Sequence, residues 1–234
     1  LDHYSCPGVK DLSFIQETVK QLKKVYKISQ KVAIATNSSF SQNYGLGSSS
    51  AVTVATVGAL NQLFKLKMSK REIFDLSYKI ILSLQGVGSG FDAASAVFGK
   101  TLYYVYAGKI IEPIKVKSLS LVIGYSGIKA DTKTIVKKLG QRYKQNKTEI
   151  EEKFIKIAKI VEKAKKALIN NNYNELGLLM NQNHKLLKEL GVSSDRLDTM
   201  IEAALKAGAS GAKLSGAGGG DCMIALVSED KRQP

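Results

Sequence analysis

Three glycine-rich stretches, each running into a regular-looking element, constrain this chain most. They are Tyr44-Gly-Leu-Gly-Ser-Ser-Ser-Ala51, Gln85-Gly-Val-Gly-Ser-Gly-Phe-Asp92 and Lys213-Leu-Ser-Gly-Ala-Gly-Gly-Gly-Asp-Cys222. A helix start presents unpaired N–H groups and a partial positive charge. Glycine lets such N–H groups approach an anion closely. Serine hydroxyls cap a helix, bond a phosphate or ligate Mg²⁺. The first stretch precedes the apolar run Ala51–Leu60. It therefore reads as a phosphate cradle or as an ordinary capped helix. In the second, Asp92 at a glycine-lined helix start either orients a hydroxyl nucleophile or caps the helix. The third adds backbone donors or is a β-turn connector. Three such stretches in one chain favour the phosphate reading. Two better-known loops are excluded: no lysine follows Gly47 as a Walker A loop requires, and Ser50 stands where a dinucleotide fingerprint needs glycine.

The intervening sequence alternates patterns. Residues 12–26, 49–64, 70–84 and 92–98 carry helical spacing, and 31–36 and 101–106 read as strands. Residues 119–125 predict a buried strand, and helical patterns cover 132–143, 148–171, 174–189 and 194–207. A strand at 222–227 closes the chain. The order is mixed rather than a strict strand–helix alternation, which predicts an α+β fold. The seam falls at Gly108–Pro113, giving lobes 1–112 and 113–234.

With 234 residues, 44% of them apolar, the chain can build a core. No apolar run reaches the roughly 18 residues of a membrane span. The only cysteines, Cys6 and Cys222, make no disulfide framework, so a cytoplasmic location is expected. The net charge of +15 suits an anionic ligand or nucleic acid. The lysine-rich 133–166 region is interrupted by glutamates and holds only Tyr143 and Phe154 as aromatics. It reads as solvated helix faces rather than a base-stacking platform. His3 and His184 lack zinc-spaced partners, Cys222 reads as a small buried hydrophobe, Asp221 either as a functional neighbour of the phosphate loop or as a turn residue, and Tyr103, Tyr104 and Tyr106 as strand packing.

Gly45-Leu-Gly-Ser-Ser49, Gly88-Ser-Gly-Phe-Asp92 and Lys213–Cys222 resemble the three motifs of the GHMP small-molecule kinases. The likeness runs from about residue 30 to the C-terminus. Residues 123–136 and 181–194 are similar to segments of the mevalonate kinases within that family. The resemblance implies a two-lobed α+β kinase fold: an N-terminal ATP-binding lobe like ribosomal protein S5 domain 2, and a ferredoxin-like C-terminal lobe. It implies ATP and Mg²⁺ as cofactors and mevalonate as substrate, phosphorylated on its 5-hydroxyl. Gly45, Leu46, Gly47, Ser48, Ser49 and Ser50 would cradle the nucleotide with Gly216, Ala217, Gly218 and Gly219. Ser49 would ligate the metal, Asp92 would act on the hydroxyl, and Thr132 and Gly216 would face the substrate. A homodimer is compatible with this reading. Phosphomevalonate kinase is the alternative, with Lys129 and Lys133 as its added cations; an S5-like nucleic-acid module is the second.

Three departures from the family pattern stand out. The family's opening P-G-K-x-x-L-x-G-E-H segment has only the fragment Ser5-Cys-Pro-Gly-Val-Lys10 to match it, with no strands ahead. The segment is therefore expected to be missing, and with it a lysine and parts of the adenine and substrate pockets. The stretch Lys79–Gln85 ahead of Asp92 has no glutamate for the metal, which leaves Gln85 or Ser83 to hold a water, or the metal to rest on Ser49 and ATP alone. No proline precedes the first loop within residues 40–44.

Overall fold

The computed structural model describes residues 2–5, 12–38 and 41–231. The chain divides into two compact units: Leu1–Gln42 with Gly47–Pro113, and Asn43–Leu46 with Ile114–Pro234.

In the first unit, helix α1 (Ser13–Tyr26) buries Ile15, Thr18, Val19 and Leu22, one face at helical spacing. It stops where Lys27 turns left-handed. Strand β1 (His3–Ser5) runs parallel to β2 (Ala33–Ala35), with His3 opposite Ala33. This corrects the expectation that no strand lies ahead of the Ser5–Lys10 fragment; three residues are too few to show a period. Residues 6–10 of that fragment lie outside the described residues.

Helix α2 (Ser48–Leu63) follows the first glycine loop. Its apolar run hides which face is buried, and the buried residues are Ser50, Thr53, Thr56, Val57 and Leu60. The Thr53 and Thr56 hydroxyls donate to the carbonyls of Ser49 and Val52, both at 2.8 Å. Buried hydroxyls so satisfied carry little penalty. Helix α3 (Lys70–Gln85) opens with a reciprocal capping box between Ser69 and Glu72. Helix α4 (Phe91–Phe98) and the paired strands β3 (Thr101–Val105) and β4 (Ile110–Ile114) complete the unit. Its core lies in two clusters, one around Val19, Leu22, Val57 and Ile80, the other around Phe74, Tyr78, Ile81, Ala93 and Ala94.

The second unit is a three-stranded antiparallel sheet in the order β5 (Leu121–Tyr125), β7 (Cys222–Leu226), β6 (Gly211–Leu214). With it go helices α5 (Thr132–Gln145), α6 (Lys147–Ile169), α7 (Tyr173–Glu189) and α8 (Asp195–Lys206). The buried strand expected at 119–125 is an edge strand, with Val122 39% and Ile123 57% exposed. The centre belongs to β7, so β5 is paired on one side only. Strand β6 escaped the sequence because it opens on Gly211. A Cβ there would stand 2.2 Å from the Gly177 carbonyl oxygen of α7, so the glycine allows helix and strand backbones to touch. Among the described residues no helix is long and apolar enough to cross a membrane.

Candidate functional site

Two helices of the first unit begin in the same unusual way. Gly47 precedes α2 at φ 71°, and Gly90 precedes α4 at φ 91°. Both are left-handed, and neither has a side chain to cap the turn it opens. Asp92 is the second residue of α4, not its cap. The α2 and α4 starts meet: a methyl group on Gly47 would stand 3.3 Å from both Cγ and Oδ1 of Asp92. The fold thus brings a carboxylate to the electropositive end of a helix that lacks a cap of its own.

Ser49 sits in the first turn of α2, and its hydroxyl accepts a hydrogen bond from Gln85 Nε2 at 3.2 Å. Gln85 ends α3, so the two glycine stretches are tied by a side chain on each. Ser83 turns back instead, donating to the Ile80 carbonyl at 2.7 Å. Ser50 is 5% exposed, on the buried side of the helix, whereas Ser48 and Ser49 are half-buried.

The loop ahead of Asp92 is held by residues the sequence reading assigned to packing or passed over. Tyr78 of α3 donates its hydroxyl to the Gly88 carbonyl at 2.9 Å. Tyr104 of β3 donates to the Ser89 carbonyl at 2.6 Å, which also accepts from the Ala107 amide at 3.2 Å. The available signal was chemical: a buried tyrosine needs a partner for its hydroxyl, and a glycine loop has carbonyls to offer.

The second unit holds the start of the first loop and all of the third. Gly45 lies so close to Asp221 that a Cβ would fall 2.5 Å from Asp221 Cβ and Cγ. Asp221 is itself left-handed at φ 54°. Its Oδ1 accepts from the Ala130 amide at 3.1 Å and faces Lys129 Nζ at 3.9 Å, while its own amide donates to the Ile128 carbonyl at 2.7 Å. The Cys222 thiol donates to the Tyr44 carbonyl at 3.0 Å, and burial pushes its pKa up. In the third loop the Gly219 amide donates to the Val192 carbonyl at 2.8 Å. A Cβ on Gly218 would sit 1.9 Å from that same oxygen, whereas one on Gly216 would meet nothing within 4 Å. Thr132 opens α5 behind Asp131, which caps that helix through the Thr134 amide at 3.1 Å.

His184 pairs with Asp198 at 3.2 Å, and its other ring nitrogen is buried with no partner among the described residues. Burial pushes its pKa down and the Asp198 charge opposes this, while Lys213 and Lys188 add to the fall. Lys213, leading into the third loop, donates to the Leu214 carbonyl at 2.7 Å. Burial lowers its pKa to about 8.

Comparison with known proteins bears on both units. Residues 13–100 match the family model described as GHMP kinases N terminal domain, and residues 164–234 the one described as GHMP kinases C terminal. The chain is 38% identical over 228 residues to the mevalonate kinase of Thermococcus onnurineus, covering 95% of this chain and 68% of that protein. Among solved structures, that of L. major mevalonate kinase in complex with R-mevalonate superposes with a TM-score of 0.85 at 26% identity, over 99% of this chain and 74% of that one. The Streptococcus pneumoniae phosphomevalonate kinase shares the fold, with a TM-score of 0.83 at 23% identity over 99% of this chain and 80% of that one.

Proposed function

The chain belongs to the GHMP kinase family, and on that premise we propose that it transfers the γ-phosphoryl group of ATP to the 5-hydroxyl of mevalonate. The observation that carries the reading is the approach of the Asp92 carboxylate to Gly47 at the start of α2. A helix start attracts the phosphates of a nucleotide, and a carboxylate beside it meets the acceptor hydroxyl.

Residues 1–112 form the ATP-binding lobe of this proposal and 113–234 the second lobe. Gly45, Leu46, Gly47, Ser48 and Ser49 border the phosphates, with Ser50 fixing the first turn from its buried side. Gly216, Ala217, Gly218 and Gly219 shape the second lobe's loop, and Thr132 and Gly216 serve the acceptor side. Asp92 orients the hydroxyl and takes its proton as the O–P bond forms and the bond to the departing ADP breaks. The chemistry asks the protein for positioning and charge stabilisation more than for covalent work.

Mg²⁺ prefers hard oxygen ligands and keeps several waters. The Ser49 hydroxyl is of that class, and among the described residues no cluster of three or more acidic, histidine or cysteine side chains gathers. Such a donor set would fit a cation held mainly by the nucleotide's phosphates, and that cation would neutralise charge developing during transfer. Gln85, holding Ser49, offers no additional charge to the metal.

A panel of mevalonate, phosphomevalonate, homoserine and galactose with ATP tests the acceptor. Product from mevalonate is expected; product from phosphomevalonate alone overturns the choice of acceptor. The Asp92→Asn variant should lose roughly 10²–10⁴ in turnover, as removal of a general base does, with an unchanged melting temperature. Full turnover in that variant removes Asp92 from the mechanism.

A further inference from the structure

The Tyr78 and Tyr104 rings are part of a core that phenylalanine would fill equally well. Tyr78 stacks on Phe74 with centroids 5.7 Å apart, and Tyr104 meets the same ring edge-on at 6.4 Å. A hydroxyl in such a place is costly unless bonded, so each oxygen must answer to something beyond packing. Both answer to the same short stretch. One oxygen bonds the Gly88 carbonyl and the other the Ser89 carbonyl, from two different elements, α3 and β3. The Gly88 carbonyl takes the Tyr78 hydroxyl, and the Ser89 carbonyl takes the shorter bond from Tyr104 beside that from the Ala107 amide.

The approach is close enough to exclude a side chain between the rings and the loop. A Cβ on Gly90 would stand 2.6 Å from Tyr104 Oη and 3.0 Å from the Tyr78 ring. Gly90 sets the first turn of α4, and Asp92 lies two residues on. Burial pushes the Tyr78 pKa up to about 12 and raises that of Tyr104, which favours the neutral O–H donor form of each.

We propose that Tyr78 and Tyr104 are positioning residues that hold the Gly88–Gly90 loop by its carbonyls and so fix Asp92 against the start of α2. The effect on turnover rests on the reading of Asp92 given above. A displacement of the order of 1 Å at a group that orients a nucleophile can cost about a hundredfold in rate. Both hydroxyls donate to carbonyls of the 88–89 loop, so KM for ATP serves as the reading that should stay put.

The test uses the full chain and Tyr78→Phe, Tyr104→Phe and the double variant, which keep both rings. Hydrogen exchange is followed at residues 88–92 in the unliganded protein, with α6 as internal reference. Steady-state rates are measured with ATP and mevalonate. Exchange at 88–92 in the double variant should rise about tenfold or more over the reference, as a locally released segment does. Its kcat should fall between about tenfold and about a hundredfold, with KM for ATP within about twofold. A role in stability alone would lower the melting temperature without splitting kcat from KM. Unchanged exchange at 88–92, or a wild-type kcat in the double variant, overturns the proposal. Each single variant removes one oxygen and keeps the same readings accessible if the double variant melts early. A wild-type chain without turnover on any acceptor defeats the kinase reading instead, and the exchange rates then decide the clamp by themselves.

Discussion

Gly47 in the first unit and Gly218 in the second share a backbone conformation, φ 71° and 85°, for different physical reasons. At Gly47 the nearest atoms are those of the Asp92 side chain, at a tight 3.3 Å from an added Cβ. The glycine there opens a helix start to a functional side chain. At Gly218 the obstacle is the backbone, the Val192 carbonyl oxygen at 1.9 Å, which also accepts the Gly219 amide. The glycine there permits two chain segments to lie against each other. Gly216, two residues earlier, faces open space. A motif read as a uniform phosphate loop is thus divided between one position with room for a ligand and two that the protein itself occupies.

The strongest way to break this comparison is Gly218→Ala. Backbone cannot swing aside as a flexible side chain does, so the second unit should lose about 3 kcal/mol or more, a mechanism at the severe end of point substitutions. A thermal melt should drop by roughly 10 °C. A melt within a degree or two of wild type would show that the loop relaxes freely.

Gly47→Ala should behave the other way round. The left-handed φ costs a β-carbon about 1–2 kcal/mol. Turnover should fall by at least about tenfold, because the methyl group presses on Asp92. Equal losses of stability at positions 47 and 218 would erase the distinction.

Lys213, at the entrance to the second unit's loop, sharpens the contrast through pH. Its folded pKa of about 8 lies below the ordinary 10.5, so folding disfavours the ammonium. Stability is therefore highest above 10.5, declines as pH falls from 10.5 to about 8, and is level below that. The span is on the order of 3 kcal/mol at most. Lys213→Met should flatten denaturant-measured stability across that window, and a slope that persists would assign it to another group.

Much of the candidate site was legible because its chemistry is local. Gly45-Leu-Gly-Ser-Ser49 and Gly88-Ser-Gly-Phe-Asp92 combine positive φ, helix starts and short polar side chains within a few residues. The helices at 13–26, 70–85 and 195–206 were legible for the same reason, since their apolar faces recur at a short period. What sequence spacing does not encode is which distant residues meet. Tyr104 and Ser89 are 15 positions apart, and Asp221 lies against Gly45 from the far end of the chain. Likewise, the apolar run of β5 has no mark saying that β7 would take the centre of the sheet.

By itself the sequence determined the α+β character, the three glycine stretches and the residue types able to handle phosphate. These follow from backbone sterics and local charge, which act between neighbours. Only the tertiary structure decided that Asp92 stands beside Gly47, that Gln85 holds Ser49, and that Gly218 is closed off while Gly216 is open. Those outcomes depend on close packing between elements, and packing selects among local options that are nearly equal in energy along the chain.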